Sequence, residues 1–409
     1  MKSEKLLSPS AIFLLGINSI IGSGIFLLSG QIYKQAGSAS LLAILLAGIS
    51  ITIIAFSYGN MSKIYPENGG AFLYAKNSFG QFAGFIVGML TWLLGVVTLA
   101  TEVSALLTAL KMILPHINVH MIGLSILLVL GIISYFGASI LGKLDNLTSF
   151  VKLLIIAIFI ISCIFLVKFS HFTFPSNLTT HTAFSTGLLS AYGTTFFFFT
   201  GFSFLPVNAQ KMQNPAKNLP KMMMFVMISV ITIYFLIQAI TIGVLENSLP
   251  NSVVPAATAF SKIVGPIGIP LIVIAICISI FGVIVAATFN TPTILASLAE
   301  AHENIPARFA KNNPFGSPTL SITLTTVCAI ALFMSGNYVF LAGLTVFMSF
   351  VQYFSTGLAN IKAKFRFIGF GTVIFSLVLL SSFTISVLIF GFAIIIVLAI
   401  FYLIVKKSA

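Results

Sequence analysis

Acid is scarce in this chain. Its 409 residues include only 7 Asp and Glu, against 20 Lys and Arg, and charged residues make up 7 % of the total. An ordinary soluble domain carries about 25 % charged residues, so this composition excludes one. Cysteine is scarce too: Cys163, Cys277 and Cys328 all fall inside apolar runs, where they read as small core residues rather than as a disulfide or metal set. His116 and His120 are four apart, but Pro115 and a loop setting argue against a helical metal site, and no third ligand is near. No phosphate-binding P-loop, Cys/His cluster or nucleophile elbow occurs. Primary pumping and enzymatic catalysis therefore lack support, and no metal or cofactor is implied. The net charge of +13 invites a nucleic-acid reading, but the basic residues are spread through short loops instead of gathered on one face.

What the chain has instead is apolar length. Apolar residues reach 58 %, and the mean hydropathy is +1.13. A bilayer crossing needs roughly 20 apolar residues. Twelve such spans can be drawn, at about 10–33, 39–65, 82–111, 120–138, 147–168, 187–212, 222–245, 267–300, 319–335, 338–358, 366–381 and 384–405. The expectation is an all-α polytopic membrane protein with 12 transmembrane helices in a lipid bilayer. The first run is too long for a cleaved signal peptide, and no small-residue cleavage site follows it. With the N-terminus inside, Lys34, Lys111, Lys168 and Lys262 fall outside and the other sixteen basic residues inside. The positive-inside rule then sets both termini in the cytoplasm of a cell-membrane protein.

Spans one to five (10–168) and six to ten (187–358) are comparable halves. Five is odd, so the second half enters from the opposite side, which makes the pair an inverted repeat. Residues 1–9 then form a cytoplasmic tail, and 366–405 form two peripheral helices. The first span contains Ile20-Ile21-Gly22-Ser23-Gly24-Ile25-Phe26. Each glycine costs about 1 kcal/mol in a helix, but it lets the backbone unwind and bring bare N–H and C=O groups to a ligand. The first span of the second half is also interrupted, by Gly201 and Pro206 after Phe197 and Thr200. Paired interruptions at matching depth are the pattern of a secondary transporter's binding site. Close packing at Gly-x-Gly and a kink at the proline are the plainer readings.

Four stretches carry a family resemblance. Ile20–Phe26 resembles the first-helix motif of the amino acid–polyamine–organocation superfamily of permeases. Gly201-Phe202, followed by Asn214-Pro215, Lys217, Asn218, Leu219 and Pro220, resembles its sixth-helix region, although Gln210-Lys211 stands where many members are acidic. Pro66–Tyr74 resembles the loop after the second helix, and Ala296–Pro318 the stretch leading into the ninth. The resemblance implies a leucine-transporter-like fold and an amino acid permease. On that reading, the N–H groups of Ser23 and Gly24 suit a substrate carboxylate, because helix N-termini bind anions. The carbonyls of Ile20, Phe197 and Thr200, beside Gly201, suit an ammonium group. The Phe-rich sixth span favours a neutral or apolar substrate side chain.

Of the acidic residues Glu4, Glu67, Glu102, Asp145, Glu246, Glu300 and Glu303, only Glu102 lies well inside a span. An intramembrane carboxylate is a functional candidate by default. Glu102 could carry a coupling proton or meet a cationic substrate; a structural hydrogen bond is the plain alternative. Lys152, six residues after Asn146, reads on its own as a snorkelling lysine. The resemblance to sodium-independent members implies instead that its ammonium reaches the place where sodium-coupled relatives bind a cation, tying the first and eighth helices together until deprotonation releases them. Ser279, Thr288 and Thr291 offer oxygens on the eighth span, so sodium oxygens are not lacking. The expected activity is secondary active transport of an amino acid, with proton-coupled uptake and sodium-independent exchange as the two modes. A channel would need a continuous polar path, which one intramembrane carboxylate makes hard to build. A non-transporting scaffold is the remaining reading. His171 and His181 read as solvated in an outer loop. Asn146–Thr148 and Asn177–Thr179 match glycosylation sequons, the first of them on the cytoplasmic side.

Overall fold

The computed structural model describes residues 6–172, 181–301 and 305–408. The sequon at 177–179 and Lys2, Glu4, Lys5 and Glu303 lie outside the described residues. The described chain is helical throughout, with α1 (Pro9–Ile20), α2 (Gly24–Leu27), α3 (Ser29–Ala36), α4 (Ser40–Ile64), α5 (Ala71–Phe79), α6 (Gln81–Leu110), α7 (Val119–Tyr135) and α8 (Ala138–Cys163) in its first part. The second part holds α9 (His181–Phe198), α10 (Pro215–Leu245), α11 (Pro255–Val264), α12 (Gly268–Ala301), α13 (Thr319–Ser335), α14 (Tyr338–Lys362), α15 (Arg366–Leu380) and α16 (Ile385–Ser408). Eight described helical stretches, from Pro9–Leu27 to Ile385–Val405, are long and apolar enough to cross a membrane; Val119–Tyr135, Thr319–Ser335 and Arg366–Leu380 are apolar but shorter. This is the architecture of a polytopic membrane protein. Helices answer the bilayer's demand that each backbone polar group be paired within its own segment.

Short apolar runs do not reveal every helix. The loop after α4 folds into α5, and the stretch before α12 into α11; neither was expected from hydropathy, since both are too short to span. Both sit where they brace longer helices. Lys76 of α5 donates to the Ala301 carbonyl at the end of α12 (3.0 Å), and Lys362 of α14 donates to the Ser78 carbonyl of α5 (2.5 Å). Each ammonium meets the negative end of a helix. The loop itself docks on the tail of the sixth span: Gly69 N–H donates to the Val207 carbonyl (3.2 Å), and Gln210 N–H to Asn68 Oδ1 (2.9 Å). Two of the family-like stretches therefore touch.

Long-range packing pairs α6 with α12 and α4 with α10, and lays α14 against α6 and α15. Hydroxyls and amides join these helices from inside. Gln238 of α10 donates to Ser40 Oγ (3.0 Å), Trp92 of α6 to Thr325 Oγ1 of α13 (3.0 Å), and Asn360 of α14 to the Ser57 carbonyl of α4 (3.0 Å). Most apolar side chains of α16 point outward instead, as Ile385, Ile389 and Leu403 show by their exposure, while Val387, Leu398 and Tyr402 pack inward; this suits a lipid-facing helix. His171 departs from the solvated reading. Its Nδ1 lies 2.9 Å from the Gly243 carbonyl and its Nε2 3.3 Å from Glu246 Oε2. The end of α10 offers the Gly243 carbonyl, which also accepts from Lys168 N–H (3.0 Å), and the acid Glu246, and together they hold the ring. The side chain of His181 is not described.

Small residues set the closeness of α4 and α10. A Cβ at Gly48 would stand 2.7 Å from Ile231 Cγ1. Gly48→Leu is therefore expected to destabilise the protein by about 1–3 kcal/mol, read as a lower Tm in detergent. Adding Ile231→Ala should recover part of that loss.

Candidate functional site

The first break lies between α1 and α2. The Ile21 N–H still reaches the Ile17 carbonyl (3.0 Å), but the next bond, Gly22 N–H to the Ile20 carbonyl (2.9 Å), is a tight turn. The helix resumes at Gly24. The second break follows α9. Thr200 N–H and Oγ1 both donate to the Phe197 carbonyl, at 3.2 and 2.8 Å. Gly201 then turns left-handed at φ +107, and a short 3-10 turn, Phe202–Phe204, follows. A side chain at Gly201 would collide with the Ser19 carbonyl. Only glycine meets both demands, a positive φ and bare contact with the first break. The two interruptions stand back to back.

Three side chains from other helices close on these breaks. Glu102 of α6, 4 % exposed, accepts from Ser23 N–H at 3.1 Å through Oε2 and from Ser23 Oγ at 3.0 Å through Oε1. Gly22 leaves the carboxylate its room, since a Cβ there would lie 2.7 Å from Oε1. Lys152 of α8 is fully buried. Its ammonium donates to the Asn18 carbonyl at 3.1 Å and to the Ile21 carbonyl, so it joins the fifth span to the end of α1 and does not snorkel. The eighth span abuts the same corner: a Cβ at Gly282 of α12 would meet Thr148 Oγ1 at 2.7 Å and Asn18 Oδ1 at 2.9 Å. Tyr234 of α10 bridges both breaks, with Oη 3.2 Å from the Ile20 carbonyl and 2.7 Å from the Phe198 carbonyl.

Between the breaks lies a narrow cavity of only ≈ 10 Å³, lined by Ser19, Ile20, Gly22, Gly24, Thr98, Glu102, Phe197, Thr200, Gly201 and Val283. Ligand sites usually measure about 300–1,000 Å³, so a substrate must part these walls. A wider vestibule of ≈ 380 Å³ lies beyond, lined among others by Gln31, Gln35, Thr194, Asn337 and Thr384. Phe197 lines both spaces. Its ring meets that of Tyr338 edge-on, with centroids 6.1 Å apart, and Tyr338 Oη donates to Ser23 Oγ at 3.0 Å.

All six residues expected to bind substrate gather here: Ile20, Gly24, Phe197, Thr200 and Gly201 line the cavity, and Ser23 stands at its edge on Glu102. Two details differ from expectation. The Ser23 N–H foreseen for a substrate carboxylate already holds Glu102. The Ile20 carbonyl already accepts from Gly22 N–H and has the Tyr234 hydroxyl, shared with Phe198, 3.2 Å away, and the Phe197 carbonyl accepts from Thr200 twice, which fills both of its lone pairs. Sequence reasoning missed Tyr234, Tyr338 and Thr98. For the two tyrosines a signal existed, because a phenol inside an apolar run must find a hydrogen-bond partner.

Comparison with known proteins now decides the class. A family model described as amino acid permease matches residues 7–408. The chain belongs to the amino acid permease family. It is thus a membrane transporter and not an enzyme. It is 25 % identical over 354 residues to the gamma-aminobutyric acid permease of Bacillus subtilis, which covers 83 % of this permease and 75 % of that one. It is 23 % identical over 392 residues to a lysine-specific permease of Lactococcus lactis, covering 89 % and 76 %. A serine/threonine exchanger of Bacillus subtilis is 26 % identical over 357 residues, covering 82 % and 78 %.

Because the breaks share bonds, loosening one should loosen both. Tyr234→Phe removes a donor worth about 1 kcal/mol and is expected to lower both Tm and substrate affinity. Gly201→Ala forces a strained turn against Ser19 and should weaken substrate-induced thermal stabilisation of the purified permease at least tenfold in apparent affinity.

Proposed function

We propose that this permease is a secondary active transporter that carries an amino acid across the cytoplasmic membrane by alternating access, driven by protons. The reading takes the helical segments as twelve spans with both termini inside: two inverted five-helix repeats, 10–168 and 187–358, behind a short tail, with 366–405 peripheral. One observation carries it. The interrupted spans of the two halves meet at one cavity, and the ends of the first break are held by a carboxylate and an ammonium from other helices.

Each charge then has a task. Glu102 occupies the N–H of Ser23, where a substrate carboxylate would bind. A proton on Glu102 removes its charge and weakens charge-assisted hydrogen bonds about twofold, so that the substrate's carboxylate takes its place. Binding and protonation are thereby linked. Lys152 supplies the positive charge on the carbonyls of α1, beside the eighth span, where this fold would hold sodium. A sodium ion 4 Å away would meet repulsion of about 4 kcal/mol at an effective dielectric near 20. Phe197, Val283 and Ile20 on the cavity wall favour a neutral or apolar side chain, while Glu102 leaves a cationic one open. Exchange is the second reading, favoured by the exchanger among the relatives, and it needs no coupling ion.

The test is uptake into proteoliposomes under an imposed pH gradient, with and without sodium. Saturable uptake that follows the pH gradient without sodium is expected, and Lys152→Ala and Glu102→Gln should each lose that dependence. Strict sodium dependence overturns the reading, as does an unchanged pH response in both variants. Accumulation only from preloaded vesicles indicates exchange, and unsaturable ohmic currents indicate a channel. A thermal-shift screen over amino acids and polyamines then identifies the substrate.

A further inference from the structure

We propose that Tyr338 and Ser23 form the route by which a proton from the outer vestibule reaches Glu102. This rests on the proton-coupled reading above and adds the path to it. The geometry is a directed chain of hydroxyls. Tyr338 Oη donates to Ser23 Oγ at 3.0 Å, and Ser23 Oγ donates to Glu102 Oε1 at 3.0 Å. Both bonds point toward the carboxylate, so each hydroxyl hydrogen already lies on the side to which it must move.

The chain begins where water ends. Tyr338 opens α14, and its capping residue Asn337 is exposed and lines the vestibule. Tyr338 itself is partly exposed, whereas Ser23 and Glu102 are buried. Phe197 is the wall between vestibule and cavity. It is apolar and cannot pass a proton, but the tyrosine ring packed on it carries a hydroxyl that reaches past it.

The other polar groups facing Glu102 are committed elsewhere. The Tyr234 hydroxyl serves the Ile20 and Phe198 carbonyls, and Lys152 donates to the Asn18 and Ile21 carbonyls. A hydronium ion in the vestibule gives its proton to a lone pair of Tyr338 Oη. The original Tyr338 hydrogen passes to Ser23 Oγ, and the original Ser23 hydrogen to Glu102 Oε1. One proton leaves water and one arrives on the carboxylate, both hydroxyls end neutral, and rotation about their C–O bonds restores the chain.

The same side chain therefore has two separable parts: a ring that closes the cavity and a hydroxyl that carries the proton. Tyr338→Phe keeps the ring and removes the hydroxyl; Ser23→Ala keeps the backbone N–H and removes the second relay atom. In proteoliposomes, the ratio of pH-driven accumulation to substrate exchange at equal pH is expected to fall at least tenfold in each variant. Substrate-triggered acidification, followed with an entrapped pH dye, should fall with it. Tyr338→His, whose imidazole can relay a proton, should restore part of the ratio. A full pH-driven response in both Tyr338→Phe and Ser23→Ala overturns the route while leaving proton coupling intact. Absence of pH-driven accumulation in the native chain, by contrast, overturns the coupling itself. Thermal unfolding of each purified variant separates a lost relay from a lost fold, and Ser23→Ala decides the matter if Tyr338→Phe does not fold.

Discussion

An interrupted helix inside hydrocarbon leaves N–H and C=O groups that no water can reach, each costing several kcal/mol if unpaired. The rest of this structure depends on how that constraint is met at two places. The first break exposes the Ser23 N–H on one side and the Asn18, Ile20 and Ile21 carbonyls on the other. Glu102 takes the former; Lys152 and Tyr234 share the latter. These three residues come from α6, α8 and α10. The helices around the cavity are therefore positioned by the break as much as by their apolar faces.

That arrangement explains why so apolar a chain retains a buried acid and a buried base. Taken alone, either would be a costly charge in a span. Placed on the two sides of one helix break, each meets the partial charge of the opposite sign that the helix end beside it presents. A close-packed glycine helix would have met neither need, and the plainer reading of Gly22 and Gly24 as a packing face does not account for Glu102 on Ser23.

Much of this was legible in the sequence, and for a physical reason. Lipid forces long apolar runs, so spans stand out. Glycine and proline in such runs are costly, so the breaks at Gly22–Gly24 and Gly201 stand out as well. A lone carboxylate in a span singles out Glu102. What hydropathy does not encode is azimuth: which way around its helix a side chain faces, and what it meets. Tyr234 bonds a carbonyl 214 positions away and Tyr338 a hydroxyl 315 positions away, and no local spacing announces either contact. The short helices α5 and α11 were hidden for the opposite reason. They do not span, so their sequences carry no long apolar signature. His171 was misjudged because its partners belong to the end of another helix.

The filled break also bears on what a transporter's empty state is. Glu102 on the N–H side and Lys152 on the carbonyl side set a carboxylate and an ammonium along the same break, the two charges a free amino acid would bring. The two are not equally replaceable. Lys152 is wholly buried and holds carbonyls that belong to the end of α1, with α12 packed against the same corner; removing it would strand those carbonyls. Glu102 holds a single residue, Ser23, at the cavity's edge, and an incoming carboxylate can offer Ser23 the same acceptor atoms. On the proposed reading the exchangeable member is therefore the acid, and the base is the fixed one. On that reading the break stays satisfied whether the cavity is empty or loaded, so the helices need not collapse when substrate leaves. A site that never faces an unpaired backbone in either state can cycle between them at small cost, which is what the proposed alternating access would require of it.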